Sequence, residues 1–562
     1  MENTVHMLDV GLKPDLGVDA VPYFRQAIEQ LNAYDSPVTL SIAKGRYDFY
    51  PEHAAKVPYY ITNTASESEN PDVSKTIGLL LKGMKGITLD GNGSLFVFHG
   101  KMTPLVIDGC DNIQIRNLSI DFERATMSEM VVESVGCHHL DVRVKPDSWY
   151  ELDQHGVLSW VGEGWRYQGG PAAQYDPANN TIRRIPQHPI MDAVKVEELE
   201  PKRLRLHYAE DMPDTKVGNV FQLRDGIRDQ VGSFVVRSRN VTWSKVGIHY
   251  MHGLGIVCQF SENVAFDAMN MKPRPESGRT CAGFADLIHV SGCRGLIRVE
   301  NSDFEGAHDD AINVHGTHLR IVDRPSRNQV VVRFMHEQTY GFEPFFTGDV
   351  VEFIRARTLI PYSCHTVEEV SRMDARDWQL TLDKQVPDSI EEHDVVENVT
   401  WTPQVSIDNN RFACIPTRGI LVTTRRKVVI ENNRFERTGM SAILIADDAE
   451  SWFESGMVRD VTIRKNRFLA CGNEDHPVIL IAPENREGSA EQPVHQHVRI
   501  EDNRFEMIAG DILHAKSTSG LHVLNNELVV PASGKVLSQT EEAVRLQACS
   551  NVVFGGNGIQ TD

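Results

Sequence analysis

No stretch of about 18 apolar residues occurs in this 562-residue chain, which excludes a membrane-spanning helix. The start, Met1-Glu-Asn-Thr-Val-His6, has neither a basic segment nor an apolar one, so no signal peptide is read there. The compartment stays open: cytoplasmic, or secreted or periplasmic with a signal already removed. The nine cysteines are scattered, without a Cys-x-x-Cys pair or a Cys/His zinc spacing. That pattern excludes a disulfide framework and a structural zinc, and reads as reduced thiols, mostly buried. Positive charge is short as well. Lys and Arg number 57 against 78 Asp and Glu, a net charge of −21. Nucleic acid and anionic membranes are therefore disfavoured as partners, and a polyanionic substrate is weakly disfavoured. Gly-x-Ser-x-Gly, the P-loop, His-Glu-x-x-His and a dinucleotide fingerprint in strand–helix context are all missing. No cofactor and no metal are expected.

What is present is repetition. An aromatic-ended unit recurs as Val405-Ser-Ile-Asp-Asn-Asn-Arg-Phe412, Val428-Val-Ile-Glu-Asn-Asn-Arg-Phe435, Val461-Thr-Ile-Arg-Lys-Asn-Arg-Phe468 and Val498-Arg-Ile-Glu-Asp-Asn-Arg-Phe505. Leu521–Leu528 is a decayed copy, and Phe304 ends an earlier one. Alternating β-branched residues, a turn rich in Asn and a closing Phe describe stacked coils. At 562 residues the chain exceeds one simple core, and a solenoid escapes that limit because each coil packs only on its neighbours. The fold class expected is all-β, a right-handed parallel β-helix with inserted antiparallel barrels or sandwiches. Residues 19–32 predict a helix, with Asp19 as N-cap and Val21, Phe24, Ala27, Ile28 and Leu31 on one face, suited to covering the solenoid's open end. The expected organisation is a cap helix and first coils over 1–125, an inserted β domain over 126–235, and coils over 236–319. A second inserted domain over 320–400 and final coils over 401–562 complete it.

Within the coils, Asp286-Leu-Ile-His-Val-Ser-Gly292 reads again as Asp310-Ala-Ile-Asn-Val-His-Gly316, 24 residues later, and Asp309 precedes the second copy. That interval is about one coil, so Asp286 and Asp310 should stand on adjacent rungs, roughly 4.8 Å apart. Three carboxylates on one ladder repel each other and are costly unless the site uses them. Glycoside hydrolysis uses such groups: one acid protonates the leaving oxygen while a second carboxylate attacks or activates water. Water activation inverts the sugar and typically places the carboxyls roughly 6.5–9.5 Å apart. The offset assigns Asp309 as general acid, and Asp286 with Asp310 as the base pair holding water. The same column carries Arg418 and Ser441; a cation there would keep a carboxylate ionised. His308, Asn313 and His315 are candidate hydrogen-bonding partners for sugar hydroxyls. Asp447 and Asp448 follow the later strand, and Trp452 offers a face for a pyranose.

Gly306-Ala-His-Asp-Asp-Ala-Ile-Asn-Val-His-Gly316, preceded by Phe284-Ala-Asp-Leu-Ile-His289, resembles the bacterial α-1,3-galactosidases of glycoside hydrolase family 110. Ser441–Gly456 is similar to a second block of that family, and Gly45–Pro51 and Asp90–Ser94 match its style. The resemblance implies a right-handed parallel β-helix with inserted barrels. It implies an inverting, metal-independent exo-enzyme that removes terminal α-1,3-linked galactose, as on the blood-group B determinant. Its acid falls on Asp309 and its base candidates on Asp286 and Asp310. An α-galactosyl-terminated glycan is the partner implied, and a homodimer through the inserted domains stays open. Two other readings remain: an endo-hydrolase or calcium-dependent lyase on an acidic polysaccharide, and a glycan-binding β-helix without catalysis.

Overall fold

The computed structural model describes residues 3–34, 37–507, 509–530 and 539–561. Nearly all regular structure is strand, and most of it is a right-handed parallel β-helix built from three ladders. One ladder climbs through Val38–Ser41, Lys85–Phe98, Asp111–Phe122, Arg239–Ile248, Glu262–Asp267 and Arg294–Glu300, then continues from Gln404–Asp408 to Val553–Gly555. A second, which carries the site, includes Leu254–Gln259, Ile288–Ser291, the start of Ile312–Ser326, Ile420–Val422, Ile443–Ile445 and Ile479–Ile481. The third is short and holds the Phe column from Asp303–Glu305 to Arg504–Glu506.

The repeated unit divides its labour by position. Val and Ile at alternate sites are buried inside. The first residue of each turn, Asn409, Asn432, Lys465, Asp502 or Asn525, takes a left-handed backbone with φ near +55°. The second Asn turns inward instead. Asn410, Asn433, Asn466, Asn503 and Asn526 form a buried amide ladder, each Nδ2 donating at about 3.0 Å to the Oδ1 of the amide on the next rung. The Phe rings stack face to face, 4.8–5.1 Å apart from Phe304 through Phe505. Asn466→Ala therefore takes the acceptor from the Asn433 backbone N–H and the side-chain donor from the Ile430 carbonyl in a dry core, while Asn503 Oδ1 keeps the N–H of residue 466. Denaturant unfolding should show a loss of about 3 kcal/mol.

The helix Val21–Leu31 buries Val21, Phe24, Ala27, Ile28 and Leu31. Its cap differs from the expected one. Ala20 holds the N-cap position without a side-chain bond, while Asp19 Oδ1 accepts the Val21 N–H at 3.0 Å from one residue earlier.

Two antiparallel bodies interrupt the coils. In one, Met127–Val135, His139–Val144, Ala172–Asp176, Thr181–Arg184, Lys195–Glu200, Arg203–His207 and Val220–Arg224 form one antiparallel sheet around its own core of Trp160, Leu204 and Phe221. In the other, Ile312–Ser326, Gln329–Arg333, Asp377–Leu382, Ile360–Arg372, Val350–Arg355 and Val395–Asn398 pair in that order and close back on Ile312–Ser326. The result is a closed barrel around Phe353, Trp378 and Leu380. The strand Ile312–Ser326 belongs to both the coil and the barrel, so the barrel is anchored directly beside the carboxylates.

Candidate active site

The second ladder pairs Ile288 with Ile312, Ile312 with Ile420, and Ile420 with Ile443. The turn residues just before these strands, Asp286, Asp310, Arg418 and Ser441, therefore form one column. Asp309, Asp310 and Asp286 meet in a cavity of about 210 Å³, also lined by Asn63, Arg228, Asn313, Arg418, Asp448, Trp452, Glu454 and Glu484. A larger cavity of about 710 Å³, between the coils and the closed barrel, lacks such a carboxylate cluster.

One oxygen from each of the three aspartates lies within 4.8 Å of the others. This is tighter than the separation expected for a water-activating pair. The reason is local: Asp309 and Asp310 are consecutive, and Asp286 stands one rung away. Each carboxylate has different company. Asp310 is 1% exposed and accepts three hydrogen bonds from Arg418: Nη2 at 2.7 Å, Nε at 3.0 Å and the backbone N–H at 3.1 Å. Asp286 Oδ1 accepts the Asp310 N–H at 3.3 Å, and its Oδ2 meets His289 Nδ1 at 2.9 Å. Asp309 lies between two cations from outside the coils. Arg184 Nη2, on a strand of the inserted sheet, is 3.2 Å from Oδ1, and Arg228 Nη2 is 3.3 Å from Oδ2.

Burial pushes Asp286 up to about 7, with Asp309's charge adding to it. Burial likewise pushes Asp310 up to about 7, against the pull of Arg418. Burial would also raise Asp309, but Arg184, Arg228, Arg418 and Arg224 outweigh it and hold that carboxyl below the usual range.

Burial raises Asp286 and Asp310 alike, and a chain of hydrogen bonds behind Asp286 distinguishes them. His315 Nδ1 lies 2.6 Å from the Gly316 carbonyl, so it must carry a hydrogen. Burial pulls His289 down to about 4 and lowers His315 too, so both rings are neutral near pH 7. The bare His315 Nε2 then accepts from His289 Nε2–H at 2.9 Å. That leaves His289 Nδ1 bare, and Asp286 must donate to it. The resting proton of the cluster thus sits on Asp286.

Two donor sets have the compactness of a metal site: the three aspartates, and His289, His315 and Glu454. In the first, Arg184, Arg228 and Arg418 already supply the positive charge, and a divalent cation would be repelled. In the second, the histidine nitrogens are spent on each other.

The remaining candidates divide. Asn313 lines the cavity; its Nδ2 lies 3.4 Å from Glu454 and its buried Oδ1 has no hydrogen-bond partner among the described residues. Trp452 lines it too, 42% exposed and stacked on His336 at 4.3 Å. Asp448 reaches the wall, but its carboxylate caps the turn, accepting the N–H groups of Glu450, Ser451, Trp452 and Phe453. It places Trp452 and has little left for a ligand. His308, His315 and Asp447 are not among the lining residues. His308 Nε2 meets Gln222 Oε1 at 2.8 Å, His315 is held in the chain above, and Asp447 is fully buried near His318. Sequence reasoning missed Arg184, Arg228, Asn63, Glu454 and Glu484. Only Glu454 had a signal, lying inside the block Ser441–Gly456.

Comparison with known proteins follows the same outline. The family GLAA-B beta-barrel domain I matches residues 128–221, GLAA-B beta-barrel domain II matches 329–396, and the right handed beta helix region matches 395–560. Alpha-1,3-galactosidase A of Bacteroides fragilis (strain YCH46) is 42% identical over 560 residues, covering 99% of this chain and 92% of the relative. Alpha-1,3-galactosidase A of Akkermansia muciniphila is 38% identical over 498 residues, 87% of this chain and 81% of its own. Alpha-1,3-galactosidase B of Bacteroides thetaiotaomicron is 33% identical over 567 residues, 99% and 91% of the two chains. With that identity sustained through both barrels and the coils, the chain belongs to the α-1,3-galactosidases of glycoside hydrolase family 110.

Proposed function

We propose that this glycoside hydrolase acts at chain ends, releasing terminal α-1,3-linked galactose with inversion. The observation that carries the reading is the trio of aspartates gathered with Arg228 and Arg418 in a cavity of about 210 Å³. That volume suits one sugar ring rather than a run of chain, which favours an exo mode. In this reading Asp309 protonates the glycosidic oxygen as the C1–O bond breaks. The base pair, Asp310 with Asp286, takes a proton from the water that attacks C1. Asp310 is the member ionised at rest, because the proton lies on Asp286. Asn313 Oδ1 is free to accept from a sugar hydroxyl, and Trp452 offers its face. His308, His315 and Asp447 take no contact with the sugar here; they hold the walls.

The close spacing of the carboxyls taken alone favours retention, in which a carboxylate attacks C1. Against it, none of the three is free to attack. Asp310 is bound through both oxygens by Arg418, Asp286 is tied to His289, and Asp309 lies between two arginines. The test is to incubate the protein with linear Gal-α-1,3-Gal and with the branched B-type trisaccharide, with and without a chelator, following release by proton NMR. Initial β-galactose, unaffected by chelator, is the expected result. Initial α-galactose means retention, and a strict calcium requirement means a different enzyme.

A further inference from the structure

We infer that Arg184 guards the proposed acid: it pairs with Asp309 until the acceptor sugar arrives and then leaves. The inference rests on the galactosidase reading and follows from how Asp309 is held. A carboxylic acid that protonates a glycosidic oxygen needs one of its own oxygens turned to that atom. Here both are taken, Oδ1 by Arg184 and Oδ2 by Arg228. One contact must open, and the two are unequal. The Arg228 side chain is 13% exposed, whereas Arg184 is 54% exposed and extends from the edge hairpin of the inserted sheet. Its other bond is a single one to the His308 carbonyl at 3.2 Å. The arginine end of this pair is open to solvent, so the contact costs less to open than the one to Arg228.

The groups facing Asp309 come from several elements. Arg184 belongs to the inserted sheet, Arg224 and Arg228 to its last strand and the loop beyond, and Arg418 to the next coil; Asp286, Asp310 and His308 complete the ring. Of the four arginines Arg184 is by far the most exposed, against 25% for the Arg418 side chain. Its withdrawal removes a positive charge and lets Asp309 take a proton from water. An O–H bond of solvent hydronium breaks, releasing water, and one forms on Asp309, while the proton on Asp286 stays with His289. The inserted sheet thus ties acid strength to an occupied acceptor position.

The test compares wild type with Arg184→Gln and Arg184→Lys. The infrared band of protonated Asp309, identified by subtracting the Asp309→Asn spectrum, should persist to higher pH in Arg184→Gln than in wild type. On Gal-α-1,3-Gal the ratio of kcat/KM at pH 8 to that at pH 6 should rise about threefold in Arg184→Gln. It should stay near the wild-type value in Arg184→Lys, which keeps the charge. With an aryl α-galactoside, whose leaving group needs no proton, the ratio should not move. An unmoved band and an unmoved ratio overturn the inference. Absence of galactose release by the wild type would sink the galactosidase reading instead, and the infrared band would still decide the role of Arg184.

Discussion

Asp309→Asn should lower kcat on Gal-α-1,3-Gal by about 10³- to 10⁴-fold, the contribution expected of a positioned general acid facing a poor leaving group. The fold should survive. The substitution keeps the volume of a partly exposed side chain and removes one charge from between two arginines. The same variant with an activated aryl galactoside should lose far less, because a good leaving group departs without a proton. Comparing the two substrates isolates the acid step from binding. Equal losses on both would reassign Asp309 to substrate placement or to the base pair. Near-normal turnover of the disaccharide would remove it from the chemistry altogether.

Arg418→Met should destabilise the protein by about 3–5 kcal/mol at pH 8, the cost of leaving one member of a buried ion pair alone. Asp310 is 1% exposed and takes both its strong side-chain bonds from that guanidinium. The loss should be smaller at pH 5. Burial already pushes Asp310 up to about 7, and a carboxyl raised in the folded state is best tolerated when protonated. Its favourable contribution is complete below the unfolded value and is lost as pH rises through the folded one. Without Arg418 the folded value rises further, so the window of instability lies at neutral and alkaline pH. Denaturant melts at both pH values check this. The double variant Arg418→Met, Asp310→Asn should recover part of the stability at pH 8, since it removes the stranded charge. If Arg418→Met melts equally at both pH values, Asp310 is not the group that suffers.

The ladder was legible from the chain alone because a β-helix is periodic. A spacing of 24 residues put Asp286 under Asp310, and the register Ile288 to Ile312 obeys it. The same logic aligned Arg418 with Asp310 across an insertion, because the strand pattern resumes at Ile420 in register with Ile312. Inside that regular frame, the direction of each side chain was harder to read. His315 looked like a sugar ligand from its place in the repeated block, yet it is buried and belongs to a hydrogen-bond chain with His289 and the Gly316 carbonyl. Asp447 and Asp448 looked equivalent; one is buried beside His318 and the other caps a turn.

What the sequence by itself determined was the coil: its strands, its amide and Phe columns, and the stacking of three aspartates and an arginine on one ladder. Each of these depends on contacts between neighbouring rungs, which repeat at a readable interval. The surroundings of the aspartates were decided by tertiary structure. Arg184 reaches Asp309 from 125 positions away in the chain, and Asn63 meets Glu454 across 391. No interval in the sequence encodes such meetings. They follow from how the inserted sheet and barrel seat on the coils, and that seating brings Arg184 to Asp309, whose carboxyl it helps hold below the usual range.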